Sequence, residues 1–333
     1  MNRSRAMILV LSGLCLAAAL ASLLIGPARL SPAVVLAALA GRGEETVRII
    51  VWELRVPRLI LALMIGATLG MAGAALQGFV RNPLASPEIL GVPGFAAFGA
   101  VVAIYAGAFR TVSLAVPVAA IAAALVASAA LIAIAGRDGR LVTLILAGLA
   151  LSTFAGALTS FVLSIAPNPF AAMEIAFWLL GSLSGRSFEH VVIAAPFMLV
   201  SWALMLADRR ALLALTLGED GARALGFNLK AVRVRLALAI ASGVGAAVAV
   251  AGAIGFIGLV VPHLVRPFAG YDPARILFPS ALAGAALLTF ADCAARLIPA
   301  GSEIKLGVLT ALIGVPFFLL LLARARRGQP AFL

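Results

Sequence analysis

Charge is what this sequence has least of. Only 11% of its 333 residues are Asp, Glu, Lys or Arg, where a soluble globular chain carries about 25%. So few charges cannot cover a water-facing surface, which excludes an ordinary soluble domain. Lysine is scarcer still: Lys230 and Lys305 are the only two, and neither follows a glycine. A G-x-x-x-x-G-K-[ST] phosphate loop is therefore impossible, and with it ATP hydrolysis by that route. The two cysteines, Cys15 and Cys293, lie far apart in apolar surroundings and give neither a disulfide framework nor metal-ligand spacing. The two histidines, His190 and His263, form no metal pair either. No series of carboxylates or histidines runs through the apolar segments, as ion- or proton-coupled carriers require. Asp292 is the main exception, and its spacing to Arg296 is that of an i,i+4 helix pair. No catalytic constellation, resident metal site or nucleic-acid-binding motif is readable.

What the chain has in excess is apolar length. Hydrophobic residues make up 64% of it and the mean hydropathy is +1.16. Segments of about 20 apolar residues, enough to cross a bilayer core, recur from end to end. They are too long and unbroken for the alternating strands of a membrane barrel. The sequence therefore predicts an all-α, polytopic membrane protein, one domain over 1–333. About ten helices are expected, near 7–25, 58–80, 89–107, 112–135, 141–165, 191–207, 233–252, 254–268, 276–294 and 306–323. Arg3 and Arg5 before the first apolar run resemble a signal peptide, but the run is long enough to span and is read as the first membrane helix. With the N-terminus in the cytoplasm, most of the 25 basic residues fall on the inner side. The positive-inside rule then places both termini there, and the net charge of +12 reflects topology.

Two stretches repeat. "RLILALMIGATLGMAGAALQGF" from Arg58 and "RLALAIASGVGAAVAVAGAIGF" from Arg235 both open on Arg-Leu. Gly66 and Gly243 follow at the same offset, and Gly78-Phe79 and Gly255-Phe256 close them. The copies fall on the second and seventh spans, which cross in opposite directions. An inverted repeat of this kind, with halves at about 55–165 and 233–323, is a transporter signature. Within the first copy, Gly66-Ala-Thr-Leu-Gly70 has the small-xxx-small spacing of close helix packing.

One segment is out of character. Between the sixth and seventh spans the chain turns polar over about 208–232, including "TLGEDGARALGFNLKAVRVR" from Thr216 to Arg235. Gly218 and Gly226 bound a short helix with Glu219 and Asp220 in its first turn, where the helix dipole favours acids. Leu215, Leu217, Ala222 and Leu225 supply apolar contacts. Such a helix either lies on the lipid surface or docks a cytosolic protein. The acidic start favours docking, because the inner leaflet is itself anionic.

"LTLGEDGARALGFN" resembles the coupling loop of ABC-importer permeases. The whole chain is similar to one family of them, the type II importers of iron–siderophore complexes, haem and cobalamin. "RVPRLILALMIGATLGMAGAALQGFVRNPLASPEILGV" (Arg55–Val92), "FWLLGSLSG" (Phe177–Gly185), "GAIGFIGLVVPHLVR" (Gly252–Arg266), "ADCAARL" (Ala291–Leu297) and "EIKLGVLTALIGVPFF" (Glu303–Phe318) match its blocks in order. The resemblance implies a homodimer in the bacterial inner membrane, with the path along its two-fold axis. Two cytoplasmic ATPase subunits would carry the ATP and Mg, and a periplasmic binding protein would deliver the substrate. No cofactor would sit on this chain. Gly218, Glu219, Ala222, Arg223, Leu225 and Gly226 would form the ATPase-coupling segment. Gly221 departs from the family's helix former there, at up to about 1 kcal/mol. Arg55, Arg58 and Arg296 would dock the binding protein, with interfacial snorkelling and the Asp292 pair as competing roles. Asn82 would lie near the inner gate or merely cap a helix. Ser152, Thr153, Thr159 and Ser160 are candidates for the path lining. His263, Met64, Met71 and Met173 read as packing residues, and Phe177 and Trp178 as interfacial anchors. The cargo would be a ferric siderophore, haem or cobalamin. A secondary carrier without an ATPase, or an importer of another cargo such as an oxyanion, remains the alternative.

Overall fold

The computed structural model describes residues 3–108, 112, 114–136, 141–298 and 303–326, all helical or irregular, with no strand among them. In chain order the helices are α1 (Arg3–Leu24), α2 (Pro32–Leu39), α3 (Glu45–Ile49), α4 (Val56–Val80), α5 (Val92–Tyr105), α6 (Ala115–Ala135), α7 (Leu141–Ser164) and α8 (Pro169–Leu179). They continue as α9 (Phe188–Ala207), α10 (Arg209–Ala214), α11 (Gly218–Ala224), α12 (Leu229–Ala251), α13 (Ile257–Val265), α14 (Pro273–Leu297) and α15 (Leu306–Arg326). Seven are long and apolar enough to cross a membrane, and four more apolar helices are shorter. The ten expected spans correspond to α1, α4, α5, α6, α7, α9, α12, α13, α14 and α15.

The helix starts follow local chemistry. Ser31, Asn168, Asn228 and Asp272 each accept a backbone N–H at the start of α2, α8, α12 and α14, which satisfies donors that have no helical partner. Pro32, Pro169 and Pro273 occupy first-turn positions where no N–H is needed.

Three features depart from the expected spans. α2 and α3 occupy a stretch read as a loop, and α3 passes through a π-helical segment, Ile50–Arg55, straight into α4. α5 and α13 are short, at 14 and 9 residues. The third span, expected over 89–107, starts only at Val92, because Pro87 and the left-handed Gly91 (φ 76°) hold Pro87–Leu90 as a 3-10 turn. The eighth, expected over 254–268, starts only at Ile257, after Gly252 (φ 73°) and the left-handed Phe256 (φ 67°).

The centre of the bundle is α4, α12 and α14, whose apolar windows are 78%, 83% and 72% buried, against 11% for α1 and 22% for α7. Lipid is as apolar as leucine, so helices in a membrane associate through close van der Waals contact between small residues. The α4–α14 crossing shows this. A Cβ added to Gly66 would lie 2.3 Å from the Gly284 carbonyl oxygen, and one on Gly70 2.2 Å from that of Ser280. The spacing of Gly66 and Gly70 thus did mark a helix crossing. Gly243 lies equally close to Ser201 and Thr68. Two polar side chains bridge helices in this core: Trp202 donates to Thr68 Oγ1 at 2.9 Å, and Ser201 to the Ala239 carbonyl at 2.6 Å.

Candidate functional site

Three polar regions stand out: one at the end of the bundle that carries α10 and α11, called the inner end after the charge pattern of the sequence, one at the opposite, outer end, and one between them. The inner one is built on a staple. Asp208, the residue after α9, is buried, and both its carboxylate oxygens accept from Arg235 on α12, at 2.5–3.1 Å. This pair closes the base of the segment that carries α10 and α11. On that base α11 is fixed from below by buried Ala222 and Leu215. Its outer side presents Leu217 and Leu225, 69% and 60% exposed, with Glu219, Asp220 and Arg223 between them. Arg223 donates to Glu219 at 2.6 Å and to Asp220 at 2.7 Å. Gly226, at φ 85°, ends the helix; the amide of Gly226 donates to Arg223 O and that of Phe227 to Ala222 O. Gly221 now has a reason: a Cβ there would lie 2.9 Å from Leu217 Cβ. A helix former would push away the leucine that the segment presents.

Beside α11 lies a cavity of about 260 Å³ lined by Gln77, Arg81, Asn82, Thr216, Arg266 and Tyr271 among others. Asn82 is exposed, and its Oδ1 accepts the Leu84 amide at 2.9 Å, so it shapes its own turn as well as lining this cavity. Arg266 donates to Gln77 at 2.6 Å, tying the end of α13 to α4.

The outer region gathers the three arginines expected to dock a binding protein, and it turns their side chains inward. Arg55, 5% exposed, donates to the carbonyls of Leu23, Leu24 and Ala28 at 2.5–3.1 Å. It thereby caps the last turn of α1, where a cation also suits the helix dipole. Arg58, 11% exposed, is bidentate to Asp292 at 2.8–3.1 Å and also pairs with Glu303. Arg296, 3% exposed, pairs with Asp292 and donates to Ser22 O, Ile25 O and Ser22 Oγ at 2.7–3.0 Å. The i,i+4 pair of Asp292 with Arg296 is present as its spacing predicted. The donors of these side chains are taken by the chain itself. Asp208, Glu303 and Ser22 are participants that sequence reading missed. Each lies distant in sequence from its partner, and spacing carries no signal across that distance.

The path candidates lie on one helix. Ser152 donates to the Glu88 carbonyl at 3.2 Å, and Thr153 back-bonds to Leu149 O at 3.0 Å. Thr159 is half-buried and Ser160 exposed, on a helix that also exposes Phe154 and Phe161. Thr153 and Ser160 thus share the exposed side of α7 with Phe154 and Phe161, while Ser152 faces the Pro87–Leu90 turn. His263 is buried with its ring edge-to-face against Phe317, at 6.3 Å between centroids, and Met71 is buried too. Lys305 sits over the exposed Phe177 ring at 5.6 Å. Among the described residues no three His, Cys, Asp or Glu side chains are grouped to hold a metal ion.

The arrangement is a bundle of apolar helices with a charged, stapled appendage at one end. A sequence model of the FecCD transport family matches residues 14–324. The cobalamin import system permease protein BtuC of Halobacterium salinarum is 44% identical over 280 residues, 84% of this chain and 74% of that one. The Fe(3+) dicitrate transport system permease protein FecD of Escherichia coli is 39% identical over 277 residues, 83% of this chain and 86% of that one. A solved structure described as an inward-facing conformation of a metal-chelate type ABC transporter superposes with a TM-score of 0.84 at 31% identity, covering 96% of this chain and 99% of the other. With a match over nearly its whole length, in both sequence and helix arrangement, this multi-pass membrane chain belongs to the FecCD transport family.

Proposed function

We propose that the chain is the permease subunit of an ATP-driven importer that moves a large metal chelate from periplasm to cytoplasm by alternating access. One observation carries the reading: the stapled α10–α11 segment. A docking helix that merely rested on lipid would not need an ion pair to a buried aspartate at its base. A helix that must pass on a partner's motion does, because force applied at Leu217, Arg223 and Leu225 then reaches α9 and α12 without loss. Gly218, Glu219, Ala222, Arg223, Leu225 and Gly226 form this lever. The ATP and Mg belong to two cytoplasmic ATPase subunits. The names of the cobalamin and ferric dicitrate relatives support a metal chelate as cargo.

The remaining assignments follow from this frame. The chain works as a homodimer in the inner membrane, both termini cytoplasmic, with the hydroxyl-bearing side of α7 on the path. The halves 55–165 and 233–323 form the inverted repeat. In support, the opening arginine of each copy, Arg58 and Arg235, pairs with a buried aspartate, Asp292 and Asp208. Gly66 and Gly243 each lie at a close crossing. The binding protein docks on the outer face, where Arg58 is the most accessible of the three arginines and Arg55 and Arg296 stiffen the platform beneath it. Asn82 lies at the inner mouth.

Mild extraction of the tagged chain from its native host tests the reading. A stoichiometric ATPase should accompany it, and Arg223→Glu should release that subunit while the permease dimer stays folded. Transport that follows an ion gradient, with no ATPase under several extraction conditions, would make the chain a secondary carrier instead.

A further inference from the structure

The turn that shortens α5 also relocates a carboxylate. Along the sequence Glu88 belongs to the connection after α4, at the inner surface. In the fold that connection climbs back into the bundle. Pro87 Cδ lies 3.0 Å from a Cβ built on Gly258, itself packed on Gly73 well inside α4. The Ile89 carbonyl lies 2.3 Å from a Cβ built on Gly148, and Ser152 Oγ donates to the Glu88 carbonyl at 3.2 Å. Gly148 and Ser152 are interior residues of α7. At 1.5 Å per residue, Ser152 is roughly 16–18 Å from each end of that helix. Tyr105, at the far end of α5, reaches Ile165 O at the outer end of α7, which fixes the register. Glu88 is therefore at the middle of a bilayer about 30 Å thick.

At that depth a carboxylate is costly and marks a functional position. The other acids of the bundle interior are spent: Asp292 on Arg58 and Arg296, Asp208 on Arg235. Glu88 is exposed and makes no ion pair or side-chain hydrogen bond among the described residues. Its Oε1 lies 3.8 Å from a Cβ built on Gly255, and nothing else approaches that Cβ within 4 Å. Gly255 lies two residues before the start of α13, whose positive dipole end offsets part of the cost of a negative charge there. The carboxylate thus faces open space between the start of α13 and the middle of α7.

We propose that Glu88 is a cargo-contacting carboxylate at the midpoint of the transport path, which favours cargo bearing cationic or amide hydrogen-bond donors over cargo with peripheral carboxylates. This rests on the import reading for the identity of the path. A neutral, amide-rich corrinoid fits the site. A ferric tricarboxylate complex meets like charge in a low-dielectric channel, where repulsion is far stronger than in water.

The first experiment needs no cargo. In a Cys15→Ser, Cys293→Ser background, Gly255→Cys places a thiol beside the carboxylate, at a position whose backbone is open to side chains. Its modification rates by a cationic and an anionic methanethiosulfonate are compared in the reconstituted permease with Glu88 and with Glu88→Gln. The cation-to-anion rate ratio should fall roughly ten-fold on removing the charge. An unchanged ratio, or a thiol that neither reagent reaches, overturns the proposal. The second arm measures uptake of cobalamin and of ferric dicitrate by the full complex. Glu88→Lys should shift the cobalamin-to-dicitrate ratio against cobalamin by about ten-fold, and an unshifted ratio removes the selectivity claim. If the wild-type complex imports neither cargo and holds no ATPase, the import reading fails and the cargo class fails with it. The labelling result would still stand as a measure of where Glu88 points.

Discussion

Replacing Asp292 by Asn tests whether the outer arginines are structural. The substitution keeps the shape of the side chain and removes its charge. Asp292 is 1% exposed and serves Arg296, 3% exposed, and Arg58, 11% exposed. Breaking a buried ion pair typically costs about 3–5 kcal/mol, because the surviving charge is left without its partner. Here two guanidiniums lose a shared counterion, but neither is abandoned. Arg58 keeps Glu303, and Arg296 keeps Ser22 and Ile25. The expected loss is therefore at the low end, about 3 kcal/mol, or roughly a hundred-fold in the folding equilibrium. Reversible unfolding in bicelles by steric trapping would read it directly. The double variant Asp292→Ala/Arg296→Met should recover part of the loss, since Arg296 no longer needs a counterion and Arg58 keeps Glu303. If Asp292→Asn unfolds within about 0.5 kcal/mol of wild type while its affinity for the binding protein falls, the cluster is a docking surface and the structural argument is refuted.

Two further substitutions test the packing and the staple. Gly66→Val should force α4 away from the Gly284 carbonyl and cost about 1–3 kcal/mol or more. Gly156→Ala on α7, where nothing lies within 4 Å, should be neutral or slightly stabilising; heat denaturation of the purified dimer followed by size exclusion compares the two. Asp208→Ala removes the staple. Because Arg235 is 43% exposed, solvent screening limits the stability loss to about 1–2 kcal/mol. The ATPase should remain bound, while substrate moved per ATP hydrolysed falls several-fold. A normal transport-to-hydrolysis ratio would show that α10–α11 does not need its base fixed.

Much of the fold could be read along the chain because membrane physics writes it locally. An apolar run of about 20 residues has one stable solution in lipid, a helix whose backbone bonds close within the segment. The polar α11 segment was legible for the same reason. Glu219, Arg223 and the bounding glycines are neighbours in one short stretch, and their pattern departs sharply from everything around it. Half-helices were less visible. Residues 89–107 and 254–268 are as apolar as full spans, so hydropathy could not tell a crossing helix from one that begins halfway. Pro87, Gly91 and Gly252 were the available signals, and each also occurs in connections at the surface.

Local pattern was enough for the helices, for their small-residue seam at Gly66 and Gly70, and for the i,i+4 pair of Asp292 with Arg296. Each depends on residues within a few turns of one another. The tertiary structure alone decided where the isolated charges went. It brought Asp208 to Arg235 and Glu303 to Arg58, turned Arg55 onto the end of α1, and lifted Glu88 from a surface connection to the middle of the bundle. Nothing in the spacing of these residues specifies such contacts. They arise because a charge carried into a low-dielectric interior must find a partner or line an open path, and only the packed arrangement of helices determines which of these it meets.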